Sequence, residues 1–284
     1  SSDVCSSDLP SVVGMNPPVM KYAGLLLLLL GLTAKTSAVD IIAHRGASHD
    51  APENTLAAFK LGWAQRADAC ELDLWLSKDG KIVVSHDGDT KRTTGTARKI
   101  AESTLAELRE LDAGAWKAPK WKGEKLPTLA EVLALIPDGK RLVIEIKCGV
   151  EVLPELERDL KASGKPAGQL VIISFHYDVC LQAKKFFPQI PVLFLASFKQ
   201  DKASGRWTPA PDSLIAKAKA AGLDGLNLSH KGPLDAEFVR QTHAAGLKFY
   251  VWTVDDAGLA RQLLAAGVDG ITTNRPEWLR EQLR

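Results

Sequence analysis

The sequence predicts an α/β protein folded as a parallel (β/α)8 barrel, on three observations. Short apolar runs recur along the chain, and most are followed by a segment of helical period, which is a βα repeat. Setting aside the first 38 of 284 residues leaves 246 for that repeat, a length that suits one eight-unit barrel. A ninth apolar run stands too close to its predecessor for a parallel crossover, so eight parallel strands remain. An open doubly wound sheet is the alternative arrangement of the same repeat.

The composition is that of an ordinary globular chain. With 45% hydrophobic and 25% charged residues it is not disordered, collagenous or a disulfide scaffold. Lys plus Arg (36) against Asp plus Glu (34) gives +2, so no bulk charge draws it to nucleic acid or an anionic membrane, and any anion site is local. Residues 15–38 read as a secretory signal: Met20-Lys21-Tyr22, the apolar run Ala23 to Leu32, and Thr36-Ser37-Ala38 as the cleavage site. The run is shorter than the roughly 20 residues of a membrane-spanning helix. A cut after Ala38 and a soluble periplasmic or secreted product are expected. Residues 1–14 fit no such pattern, and Ser2 to Leu9 can be back-translated into a common sequencing-library adapter, so a non-native leader is expected there. Without Cys5 the thiols are Cys70, Cys148 and Cys180, an odd number lacking metal-ligand spacing; at least one stays unpaired and none is assigned chemistry.

The strands, in order, are Ile41 to His44, Cys70 to Leu74, Leu142 to Ile146, Leu170 to Ser174, Val192 to Leu195, Gly225 to Leu228, Phe249 to Trp252 and Gly270 to Thr272. The helices are Thr55 to Gln65, Leu129 to Leu135, Val152 to Ala162, Asp178 to Phe186, Ser213 to Ala221, Ala236 to Ala245, Asp256 to Ala266 and Pro276 to Leu283. The ninth run, Ile82 to His86, follows the second strand across Lys78-Asp79-Gly80-Lys81 and is expected antiparallel to it. A two-residue turn at Asp79 and Gly80 places Asp73 opposite His86. The insertion 87–127 holds one helix-like piece, Thr104 to Leu111, and a Lys-rich tip with Trp116 and Trp121; it reads as a side lobe or lid at the barrel mouth.

Charged residues gather at the strand ends. Alternation points Glu71 and Asp73 into the barrel from the second strand, and Glu145 with Lys147 from the third, while His44 ends the first. Three converging buried acids need protons, salt bridges or a cation to offset their burial. An all-oxygen set suits a hard divalent ion, Ca2+ or Mg2+, better than Zn2+. Phe175 and Trp252 end the fourth and seventh strands, as an apolar wall for substrate or as barrel packing. Asn54 reads equally as a helix N-cap and as a substrate contact. His176 and His230 are expected at the rim, and His49 and His243 as structural or exposed.

The motifs His44-Arg45-Gly46, Pro52-Glu53-Asn54-Thr55, Glu71-Leu72-Asp73, Lys78-Asp79-Gly80, Ser85-His86-Asp87, Arg92-Thr93-Thr94-Gly95, Glu145-Ile146-Lys147 and Trp252-Thr253-Val254 resemble, in order and spacing, the glycerophosphodiester phosphodiesterase family. The resemblance spans about residues 40–284. It implies metal-dependent hydrolysis of glycerophosphodiesters to glycerol 3-phosphate and an alcohol. Glu71, Asp73 and Glu145 would be metal ligands, His44 and His86 the acid/base pair, and Arg45 and Lys147 phosphate contacts. A phosphodiester resists attack through its charge, so cations must neutralise the nonbridging oxygens while one group deprotonates the nucleophile and another protonates the leaving alkoxide. The nucleophile is either water or the neighbouring glycerol hydroxyl. Related lipid phosphodiesterases acting on lysophospholipids, and a non-catalytic secreted binding protein, are the competing readings.

Overall fold

The computed structural model describes Gly14 and residues 39–284; the expected leader and the expected signal, with its cut after Ala38, lie outside the described residues. In chain order the elements are β1 (Asp40–Ala43), α1 (Leu56–Ala64), β2 (Ala69–Leu76), β3 (Ile82–Val84), α2 (Lys91–Thr94), α3 (Leu105–Arg109), α4 (Leu129–Leu135), β4 (Arg141–Ile146), α5 (Leu153–Ser163), β5 (Leu170–Ser174) and α6 (Tyr177–Phe186). Then come β6 (Val192–Ala196), β7 (Lys199–Gln200), β8 (Trp207–Thr208), α7 (Pro211–Ala220), β9 (Gly225–Ser229), α8 (Ala236–Ala244), β10 (Lys248–Trp252), α9 (Ala257–Ala266), β11 (Gly270–Thr273) and α10 (Pro276–Gln282).

β1, β2, β4, β5, β6, β9, β10 and β11 pair in parallel, and β1 closes the ring by pairing with both β11 (Asp40 with Gly270) and β2 (Ile42 with Ala69). The open sheet is thereby excluded. Alternation divides each strand between two layers. Cys70, Leu72 and Leu74 of β2 face the helices in the main core, while Ala69 joins Ile42, Val143, Val171, Ile173, Leu193, Leu195 and Tyr250 inside the barrel. At the amino-terminal end of the barrel the Tyr250 hydroxyl donates to Asp40 (2.9 Å), which also pairs with Arg141, and the Tyr250 ring lies against Gly270, where a Cβ would stand 3.2 Å from it. Side-chain caps fix where several outer helices begin: Thr55 for α1, Thr128 with Glu131 in a capping box for α4, Asp235 for α8 and Asp256 for α9. Each contributes about 1 kcal/mol.

The hairpin forms with a different register from the expected one. Leu76 faces Ile82 and Leu74 faces Val84, so Asp73 stands opposite Ser85, whose N–H it accepts at 3.0 Å, and not opposite His86. The loop is three residues long, because Gly80 adopts φ +71° and donates to the Ser77 carbonyl while Ser77 and Lys81 close the turn. His86 lies past the paired strand, where its carbonyl accepts from the Trp75 indole (3.2 Å).

Ile100, Leu108, Ala113 and Leu126 of the insertion pack with Val83 of β3 into a small separate core. Lys117 donates to the Ser48 carbonyl (2.8 Å) and ties it to the loop after β1. None of residues 87–127 lines the cavity described below. Cys70, Cys148 and Cys180 are all free thiols.

Candidate active site

A cavity of about 280 Å³ opens at the carboxyl ends of the barrel strands, lined among others by His44, Arg45, Glu71, His86, Glu145 and Lys147. Each reaches it for a local reason. His44 follows β1, held by its N–H to the Thr273 carbonyl (2.9 Å). Arg45 then takes a left-handed backbone (φ 54°), costly for a residue with a Cβ, and the next position must be Gly46, where a Cβ would come within 2.5 Å of the Ala58 backbone. That turn aims the Arg45 N–H at Glu71 Oε2 (2.9 Å).

Glu71, Asp73 and Glu145 are buried and present one oxygen each within 4.8 Å of one another. Lys147 Nζ lies 2.8 Å from Glu145 and 3.4 Å from Asp73, and Arg45 Nε is 3.4 Å from Asp73. Lys147 faces Asp73 Oδ1 and Glu145 Oε1, both buried, and in all two cations stand against three carboxylates. Burial, then the neighbouring Asp73 charge, pushes Glu145 up to about 7, and burial with the Asp73 and Glu145 charges raises Glu71 well above the usual carboxylate range. Three clustered carboxylates against two cations, with two of the carboxyls resisting ionisation, are what a hard divalent cation would relieve, so the residues fit such an ion. Metal binding must displace the protons that Glu71 and Glu145 retain, so affinity is lowest in acid and rises with pH through about 7. Calorimetric titration with Ca2+ or Mg2+ is expected to show at least about tenfold tighter binding at pH 7.5 than at 5.5, with proton release; equal affinities would contradict this origin of the shifts.

Both imidazoles are anchored through Nδ1. His44 Nδ1 meets Asn274 Oδ1 at 2.7 Å, and Asn274 is fixed by Asp255 through its side-chain amide (2.5 Å) and backbone N–H (2.8 Å). Burial and then the Arg45 charge hold His44 down to about 4, so it is neutral at pH 7. His86 Nδ1 meets Asp87 Oδ1 at 2.7 Å; Arg92 donates to Asp87 (2.6 Å) and, through both terminal nitrogens, to Glu53 (2.8 Å each); Glu53 accepts in turn from Arg45 (2.8 Å). These guanidinium contacts outweigh burial and hold the Glu53 carboxyl down to about 2.

Phe175 and Trp252 also line the cavity, ring centroids 5.6 Å apart and nearly perpendicular. His176 and His230 lie outside the lining, the latter with Nδ1 facing the Trp252 carbonyl (3.3 Å); His49 meets Asp50 and His243 meets Asp269. The α1 N-cap is Thr55; Asn54 (φ 58°) instead donates Nδ2 to Asp73 Oδ2 at 2.8 Å. Sequence reasoning placed neither Asn54 on Asp73 nor Asn274, Asp255 and Glu53 in the site. The run Pro52-Glu53-Asn54-Thr55 carried a signal for two of these; Asn274 and Asp255 carried none.

The Glycerophosphoryl diester phosphodiesterase family model matches residues 44–278. The chain is 37% identical over 243 residues to a glycerophosphodiester phosphodiesterase of Caldanaerobacter subterraneus, covering 84% of this chain and 95% of that one. Glycerophosphodiester phosphodiesterase 1 of Bos taurus is 42% identical over 238 residues (76% and 72%). Among solved structures, an Oleispira antarctica phosphodiesterase in complex with the product sn-glycerol-3-phosphate superimposes with a TM-score of 0.76 at 30% identity, covering 86% of this chain and 96% of that one. The barrel, the carboxylate cluster at its mouth and these matches together make this chain a member of the glycerophosphoryl diester phosphodiesterase family.

Proposed function

We propose that the chain hydrolyses glycerophosphodiesters to sn-glycerol 3-phosphate and an alcohol. The observation that carries the reading is one cavity lined by two carboxylates of a buried cluster of three, two basic side chains and two Nδ1-anchored imidazoles. Glu71, Asp73 and Glu145 would hold a divalent ion, Ca2+ or Mg2+, which when bound supplies positive charge to the nonbridging phosphate oxygens. Arg45 and Lys147 bind the same phosphate. With Nδ1 engaged, each imidazole keeps Nε2 for proton transfer. His44, neutral at pH 7, accepts the proton of the nucleophile; His86, braced by Asp87, protonates the departing alkoxide oxygen. Phe175 and Trp252 wall the substrate's carbon skeleton. The pattern from Met20 to Ala38 supports export to the periplasm or beyond, with a cut after Ala38; among the described residues no helix is long and apolar enough to cross a membrane.

The test is release of sn-glycerol 3-phosphate from glycerophosphoethanolamine, with and without chelator. Release that stops on chelation and returns with Ca2+ or Mg2+ is expected. Chelator-insensitive release would remove the metal assignment, turnover of lysophospholipids alone would favour the lipid-directed reading, and no turnover of either would favour a binding protein.

A further inference from the structure

One buried polar group in the cavity has no part in the chemistry above. Asn227 lies on β9 across from the carboxylates, 2% exposed, paired with Leu195 of β6 and Tyr250 of β10, and its neighbours on the wall are Ile173, Leu195, Phe175 and Trp252. Its backbone carbonyl is satisfied by the Trp252 indole N–H (3.2 Å), but its side-chain Oδ1 is buried and accepts no hydrogen bond. A buried amide oxygen left without a donor costs about 1–3 kcal/mol; Ile173, Leu195 and Phe175 have no side-chain donor to give, and the Trp252 indole N–H is spent on the Asn227 carbonyl. A donor on a molecule in the cavity would satisfy it. A substrate lying with its phosphate against Arg45 and Lys147 and its carbon chain against Phe175 and Trp252 would bring a hydroxyl to this wall.

We infer that Asn227 is a specificity-determining residue whose Oδ1 accepts a hydrogen bond from a glycerol hydroxyl, so that the site selects hydroxylated phosphate esters over alkyl ones. The inference rests on the reading that this cavity takes glycerophosphodiesters. A site built to bond a hydroxyl rejects the analogue lacking it, because its own polar group is then left unpaired.

The experiment compares binding of sn-glycerol 3-phosphate and n-propyl phosphate by calorimetry, with the same divalent ion present, to the wild-type protein and to Asn227→Leu. The wild type is expected to prefer the glycerol ester by at least about tenfold, and N227L to reduce that preference to within about threefold of unity. Thermal melting reports whether N227L folds; if it does not, N227A supplies the same ratio. A preference unchanged in the variant, as metal-held hydroxyls alone would give, overturns the inference, and so does a wild type that does not discriminate. Binding of neither ester would instead sink the glycerophosphodiester reading itself.

Discussion

Alanine at His86 is expected to lower kcat on glycerophosphoethanolamine by about 10² to 10⁴-fold with little change in KM, and alanine at His44 to do likewise. The two losses should differ in character. A general acid matters in proportion to how badly the leaving alkoxide needs a proton. On a p-nitrophenyl ester, whose leaving group departs as a stable anion, H86A should recover most of its rate while H44A stays slow. Recovery by H44A instead would reverse the two roles, and a near-normal rate for either variant on the natural leaving group would remove that residue from the mechanism. Arg92→Ala tests the brace behind His86. Arg92 joins Asp87 to Glu53 through three hydrogen bonds of 2.6 to 2.8 Å, so its loss should lower kcat about tenfold and leave H86A no further impaired, since residues acting as a unit are not additive.

Asp73→Asn is expected to be as damaging, with kcat/KM falling about 10³-fold or further, the several kcal/mol that a metal's charge contributes to the transition state. The substitution preserves shape and removes one charge from the centre of the cluster, the carboxylate touched by Arg45, Lys147 and Asn54. Two readouts separate a lost ligand from a lost fold. Divalent-ion affinity should drop while melting of the metal-free protein stays the same or rises, because a buried like-charge neighbour of Glu71 and Glu145 has gone. With that repulsion removed, the pH dependence of residual metal binding should move to lower pH. A variant that binds the ion with wild-type affinity would exclude Asp73 from the ligand set.

How much of this was legible beforehand follows from what each signal encodes. Side-chain alternation is local, so the convergence of Glu71, Asp73, Glu145 and Lys147 could be read from a few residues of sequence, and the eightfold repeat gave the barrel. The hairpin register was missed by one because a three-residue loop with a left-handed Gly80 and a two-residue turn share the same Asp-Gly sequence. Asn54 was read as a possible cap since its composition matches one; only its left-handed backbone, invisible in sequence, turns it toward Asp73. Asn274 meets His44 across 230 positions of chain, a contact to which no local periodicity refers.

The Tyr250, Asp40 and Arg141 knot and the aliphatic layer above it stop the bore from below. Among the described residues the barrel is therefore closed at that end, and its cavity opens only toward the other. Ester and both products then use the same mouth, and a bulky alcohol lingering there would delay the next turnover however fast the bond is broken.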